Sequence, residues 1–276
     1  MKYLDHVRGR VRGCRITDSY LAACFNQQTR MYSPDYEGTF RTSGRRDEMT
    51  SLLGELQDCH CCYCMRKIRM GTEEATLEHI IPQSVTQTSE MKPYFDLGYD
   101  SLRREHLIAT REFCGLYSPV IPPRPHTVAY HNFALSCNGS FVDGGRSLCC
   151  NNYRGNAFVN PVYLNGGVAD MVEYCRDGEM RPVSGCGLYG DIVDMIKDTG
   201  LNCNNLKMIR RIWFALSEVD LDSILSLKRE KDRKLLLLKY LDWPPKELNK
   251  CIEFFIRDAH WDLLMAYRWF HGRVSE

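Results

Sequence analysis

The stretch Leu77-Glu78-His79-Ile80-Ile81-Pro82-Gln83-Ser84 decides how this chain is read. A carboxylate and an imidazole stand side by side, followed by two β-branched residues and a proline. On a strand, neighbouring side chains point to opposite faces. Glu78 and His79 therefore serve one site only if the strand ends there and turns. Pro82 is consistent with such an end, because it lacks a backbone donor and restricts the residue before it. A Glu-His pair alone suits a surface strand end equally well. Its company raises it: Cys59, Cys61, Cys62 and Cys64 lie upstream, and Asn132, Cys137, Cys149, Cys150 and Asn151 lie downstream.

The upstream cluster, Cys59-His60-Cys61-Cys62-Tyr63-Cys64, holds two overlapping C-x-x-C pairs. Such a knuckle brings two thiolates to one metal on a tight turn. The Cys61/Cys64 register is preferred, since Tyr63 and the following Met65-Arg66-Lys67-Ile68 give it a compact knuckle and a strand start. Cys59 and His60 are then bystanders or alternative ligands. Downstream, Cys137 and Cys150 complete a four-cysteine zinc site with Cys61 and Cys64. Their thirteen-position separation departs from a second C-x-x-C. A loop between them is tolerable, because loop-closure entropy rises slowly with length. Cys149 is the competing ligand.

Composition bounds the rest. The chain has 276 residues, 44% of them hydrophobic, enough for a sizeable core in one or two domains. The first fourteen residues are polar and Arg-rich, without a signal-peptide pattern, and no apolar run approaches membrane-spanning length. The expectation is a soluble, intracellular protein without a membrane partner. Fourteen cysteines in such a setting argue for metal binding rather than a disulfide framework. The net charge of +1 is not that of a protein that coats nucleic acid unaided. Basic residues are nevertheless clustered. Residues 1–46 carry nine Lys or Arg against four Asp or Glu, and residues 228–239 carry six against two.

Residues 1–46 show no long periodic segment and read as loops with short elements, an arm that touches phosphate or a partner protein. Over residues 47–57, Met49, Leu52, Leu53 and Leu56 mark one face of a helix, opened by Asp47 and Glu48. Residues 83–130 read as an insertion lying over the site, with a helix around residues 102–113; His106 and His126 inside it are ordinary polar side chains. Asp177-Gly178 predicts a hairpin over residues 171–183. Beyond residue 190 the chain turns helical. Leu206, Ile209, Ile212, Trp213 and Leu216 form one stripe, capped by Asn204 or Asn205. Leu248, Cys251, Ile252, Phe255, Ile256 and Ala259 form another. The expected organisation is an arm over 1–46, a central domain over 47–160 and a hairpin with helices over 161–276.

A zinc ion held by four thiolates has no open position, so that site is structural and the chemistry lies elsewhere. Glu78 is an oxygen donor suited to a hard ion such as Mg²⁺ or Mn²⁺. His79 is a candidate general base with a pKa near neutrality. Asn151 supplies a second oxygen, and Asn132 orients His79 through a backbone or ring hydrogen bond. Arg154 contacts a neighbouring phosphate. One ion plus one base suits phosphodiester hydrolysis.

The order C-x-Y-C, E-H-I-I-P, Y-H-N-x-x-x-x-C and C-N-x-x-R-G-N resembles the HNH (ββα-metal) nuclease superfamily. Cys61 through Ile68, Cys137-Asn138-Gly139, Cys150 through Asn156, and Leu201 through Leu206 with Arg210 or Arg211 resemble the HNH component of Septu-type and retron-associated antiphage defence systems. The resemblance covers roughly residues 47–217. It implies an α+β protein, with a zinc-stapled ββα-metal finger embedded in a mainly helical chain and a helical C-terminal region. It implies a divalent-ion endonuclease in the bacterial cytoplasm, acting on DNA or RNA with a partner ATPase of the SMC/ABC type; a homodimer is a further assembly it allows. On that pattern Glu78 and Asn151 hold the ion, His79 is the base and Asn132 braces the finger. Asn151 stands where many members have histidine, with Asn152 as its alternative, and the interval from His79 to Asn132 is longer than usual. Two other readings stay open: a zinc-stabilised nucleic-acid-binding or adaptor module without catalysis, and a self-sufficient restriction-type HNH nuclease.

Overall fold

The computed structural model describes residues 1–104, 106–116, 121–139 and 149–273. About half of the chain is helical and a tenth is strand, so the mixed α+β class holds. It divides into two compact units, Met1–Val172 with Pro182–Gly200, and Glu173–Arg181 with Leu201–Glu276.

The first unit opens with a correction. Residues 1–46 are not an arm of loops: α1 spans His6–Ala23, with the Asp5 side chain accepting from the Val7 amide at 2.9 Å. Its buried positions are His6, Gly9, Gly13, Thr17, Tyr20 and Leu21, one helical face at steps of three and four. That face is built of small and polar residues because it receives a large ring. The Tyr130 ring lies where side chains on Gly9 and Gly13 would stand, and its hydroxyl donates to the His6 carbonyl at 3.0 Å. A short helical turn over Tyr36–Phe40 and α2, Arg45–Leu56, follow. Met49, Leu52 and Leu53 of α2 are buried as their spacing predicts, whereas Leu56 is only half-buried.

The centre of the unit is an antiparallel pair, β1 (Ala75–His79) and β2 (Phe133–Cys137), in register from Ala75 opposite Cys137 to His79 opposite Phe133. Every residue of β2 is buried. Its outer edge is satisfied by a side chain, because buried Gln57 donates to the Leu135 carbonyl at 2.9 Å and accepts the Leu135 amide at 2.7 Å. The expected helix over residues 102–113 is instead split. Helical turns at Asp100–Arg104 and Thr110–Phe113 flank Leu107–Ile108, which pairs in parallel with Arg124–Pro125. His106 takes a left-handed φ of 46°, which ends a helix. After β2 come α3, Cys150–Arg154, then β3 (Val172–Tyr174) and β4 (Met180–Pro182), paired across the expected Asp177-Gly178 turn. Glu173–Arg181 of that hairpin belong to the second unit, whereas α4, Tyr189–Asp198, lies in the first; just past its end, the Thr199 carbonyl accepts the Cys150 amide at 2.7 Å.

The second unit is helical. In α5, Asn204–Ala215, the stripe Leu206, Ile209, Ile212 and Trp213 is buried. Its cap is Cys203 rather than Asn204 or Asn205. Asn202 is instead spent on the hairpin, bonding the Met180 amide and carbonyl at 2.8 and 3.0 Å. Trp213 donates to the Leu264 carbonyl at 3.1 Å. Among the described residues, no helix is long and apolar enough to cross a membrane.

Two buried histidines in the first unit give a pH dependence. His6 and His131 are 2% and 3% exposed, with ring centres 5.5 Å apart. Burial lowers His6 to about 4, and burial followed by the His6 charge lowers His131 to about 2. Both are neutral when folded and titrate near 6.5 when unfolded. The unfolded chain therefore binds more protons below about pH 6.5. The stability this gives is complete above that pH and is lost as pH falls toward 4. His6 alone accounts for about 3 kcal/mol across that window. Urea midpoints measured from pH 7.5 downward should fall steadily below about pH 6.5, and the His6→Phe variant should show a shallower fall. An unchanged slope in that variant would exclude His6 as the cause.

Candidate active site and metal centre

Four thiols from three separate stretches converge. The sulfur atoms of Cys61, Cys64, Cys137 and Cys150 all lie within 4.8 Å of one another, and all four residues are buried. Local backbone explains how each arrives. The Cys61 amide bonds the Arg66 carbonyl at 2.9 Å, and the Met65 amide bonds the Cys61 carbonyl at 3.1 Å. Met65 takes a left-handed φ of 63°, folding the chain back so that both thiols of the knuckle face one point. Cys137 ends β2, and Cys150 starts α3.

The spacing fits a metal. Four sulfurs at 2.3 Å from one Zn²⁺ in tetrahedral array stand about 3.8 Å apart. The Cys61–Cys150 and Cys64–Cys137 separations are each 3.7 Å. The group can hold a metal ion such as zinc. Neither Cys59 nor His60 belongs to it. Cys59 is half-buried, and the His60 ring faces the Gln57 carbonyl at 3.3 Å. Cys149 comes near, with its sulfur 3.4 Å from that of Cys150, but it lies outside the four.

The other end of the β1–β2 pair holds His79. The strand stops there and bends at Ile80, as the Glu-His-x-x-Pro pattern requires. The imidazole Nε2 donates to the Thr127 carbonyl at 3.0 Å. The ring packs edge-on against Tyr36 and Phe133, with centres 4.5 and 4.8 Å away. With Nε2 carrying the proton, Nδ1 is left as the acceptor; its neighbour is the Gln83 amide at 3.4 Å. Burial, outweighing the Thr127 bond, lowers His79 to about 3, so the imidazole is neutral at pH 7.

Asn132 is fully engaged: its side chain accepts the Ile81 amide at 2.7 Å and donates to the Ile81 and His126 carbonyls at 2.9 and 2.8 Å. It pins the chain after His79 to the segment that supplies Thr127. Of the two expected routes, backbone or ring, Asn132 takes the backbone one, bonding the chain just after His79, while Thr127 holds the ring itself. His126, 0% exposed, is structural and spans the Pro82 carbonyl and the Thr110 amide.

Arg154 also departs from expectation. It is 5% exposed and cannot reach a phosphate. Its guanidinium pairs with Glu78 and donates to the His79 and Ile80 carbonyls at 2.8 Å each and to the Ala157 carbonyl at 2.9 Å. Glu78 Oε1 takes both Arg154 and the Tyr63 hydroxyl, the latter at 2.8 Å. Among the described residues no hydrogen bond reaches Oε2. Burial pushes the Glu78 carboxyl up, against the pull of Arg154 and Tyr63. The pair locks α3 against the end of β1. An unpaired buried carboxylate here would be costly, which explains why Arg154 and Tyr63 both meet Oε1.

A cavity of about 470 Å³ is lined by Glu78, His79 and Asn151, together with Tyr36, Arg41, Arg46, Gln83 and Asn152. The Asn151 side-chain amine lies 3.4 Å from the Leu77 carbonyl, so its carbonyl oxygen is the end left for a ligand. Asn152 instead donates to the Asn138 carbonyl at 2.9 Å. One carboxylate oxygen and one amide oxygen match a hard divalent ion that keeps several waters. Sequence reasoning missed Tyr36, Gln83 and Thr127. Thr127 acts through its backbone, which no residue pattern signals. Compared with known proteins, the chain matches no family model, no curated protein and no solved structure.

Proposed function

We propose that this protein is a metal-dependent HNH-type endonuclease that hydrolyses phosphodiester bonds. One observation carries the reading: an imidazole, fixed through Nε2 by a backbone carbonyl, lines the same polar cavity as Glu78 and Asn151. In this reading His79 Nδ1 takes a proton from the attacking water. Glu78 and the Asn151 side-chain carbonyl would hold Mg²⁺ or Mn²⁺, which when bound would supply charge stabilisation at the scissile phosphate. Asn132 and Arg154 keep the strand end and α3 in place, and the tetrathiolate centre, filled by Zn²⁺, is structural. The motif resemblance adds the setting, the nuclease effector of a bacterial antiphage defence system acting with an SMC/ABC-type ATPase.

The test is cleavage of plasmid DNA and of RNA by the purified protein, alone and with such an ATPase. Cleavage should require Mn²⁺ or Mg²⁺, stop on brief chelation and return when the ion is restored. Retained nucleic-acid binding with no cleavage in any arm would instead identify a zinc-stabilised binding module.

A further inference from the structure

We propose that Arg41 and Arg46 form a second phosphate-binding point, which receives the strand as it leaves the reaction cavity. The proposal rests on the nuclease reading for which phosphate is cut, but the two arginines are argued from the cavities themselves.

The reaction cavity has a neighbour of about 660 Å³, which follows the edge of β1 from Thr76 to the turn at Met70–Thr72 and reaches α2 at Thr50 and Ser51. The two share Arg41, Arg46, Thr76 and Asn152 as walls. Two guanidinium groups therefore stand at the junction of two polar compartments, each within the size range of ligand pockets. Arg46 is positioned: its Nη2 donates to the Ala75 carbonyl at 3.0 Å, and its side chain is 27% exposed. Arg41 is 61% exposed and pairs with the equally exposed Glu37 at 3.2 Å. An exposed pair of this kind holds little energy and yields readily to a competing anion. Glu37, Asp47 and Glu73 also reach the walls. Each arginine thus already meets an exposed carboxylate, Arg41 with Glu37 and Arg46 with Asp47 at 3.5 Å, and an anionic group entering between the two polar arms displaces two weak surface pairs. A nucleic-acid strand, with a phosphate between successive nucleosides, has that chemistry. Buried Arg154 leaves this role to Arg41 and Arg46.

The experiment measures binding of fluorescent oligonucleotides, single-stranded DNA and RNA in separate arms, to protein carrying His79→Ala so that nothing is cut. Each arm compares a dinucleotide with a longer strand. Adding Arg41→Gln and Arg46→Gln should weaken the longer strand by about ten-fold or more. It should also reduce the salt dependence of binding by roughly 1.4 in the log–log slope, two contacts of a single strand. Dinucleotide affinity should fall much less, by about two-fold, since a dinucleotide sits at Glu78, His79 and Asn151 and meets the two arginines only at the cavity's edge. Arg46→Lys, which keeps the charge, should recover part of the slope. Equal loss for both lengths, or an unchanged slope, overturns the proposal. Length-dependent binding through these arginines in a parent protein that never cleaves would overturn the nuclease reading and leave this inference standing.

Discussion

On the proposed mechanism, replacing His79 with alanine should lower nucleic-acid cleavage by about two to four orders of magnitude, the range of a lost general base, while the folded structure and any zinc held by the four cysteines should remain. The first half of this result follows from geometry. His79 brings the cavity its only imidazole among the lining residues, and Nδ1 has no strong partner, with Gln83 at 3.4 Å. Gln83 and Asn151 are amides and do not accept a proton near neutrality. The second half follows from distance. His79 pairs with Phe133, and Cys137 pairs with Ala75, at opposite ends of the same ladder. Four residues of strand separate them by about 14 Å. Truncation removes the contacts with Tyr36 and Phe133 and lowers stability by about 1–3 kcal/mol, which the core of the first unit tolerates. Cleavage rates at saturating Mn²⁺, zinc content by elemental analysis and the urea midpoint test the three parts separately. Unimpaired cleavage would remove His79 from the mechanism. Loss of zinc together with loss of activity would show instead that the residue holds the fold.

The parts of this molecule that were legible in sequence are those whose chemistry is local. A C-x-x-C knuckle states its purpose within four residues. The Asp177-Gly178 turn and the Met49, Leu52, Leu53 face of α2 do so within ten or so. Asn132 is an intermediate case: a backbone or a ring bond near His79 was expected, and only the backbone one is made, since the Thr127 carbonyl fixes the ring. α1 was illegible because its buried face is glycine, threonine and histidine rather than leucine. Apolar periodicity detects a helix that supplies bulk to a core, and α1 instead supplies a groove for Tyr130. The same failure hid one wall of the cavity. Tyr36, Arg41 and Arg46 reach His79 and β1 only because α1 and α2 fold back over the strands, so a segment read as an arm becomes a wall. Arg154 failed in the opposite direction. Its charge is plain in sequence, but only burial shows that Glu78 and three carbonyls already claim it.

If the four cysteines hold zinc, exchanging Cys64 for serine should remove the ion and unfold the first unit's centre, and the reason is how much hangs on four sulfurs. A structural zinc site is worth on the order of 10–16 kcal/mol at neutral pH, against about 5–15 kcal/mol for the stability of a whole domain. Here the metal would join the knuckle, the end of β2 and the start of α3. Among these, α3 is five residues long, too short to persist unaided. It carries both Asn151 and Arg154, so losing its anchor at Cys150 releases an oxygen donor and strips Glu78 of its counter-ion. That leaves a buried carboxylate uncompensated, a second destabilisation of about 3–5 kcal/mol. The variant should bind no zinc, melt lower by more than about 10 °C and show no cleavage at any Mn²⁺ concentration. Cys149→Ser is the sharper comparison. Its sulfur is only 3.4 Å from that of Cys150, yet it lies outside the converging four. This variant should keep one zinc per chain and most of its stability. If Cys149→Ser loses the ion and Cys64→Ser retains it, the tetrathiolate has been assigned to the wrong cysteines, and the anchoring of α3 fails with it.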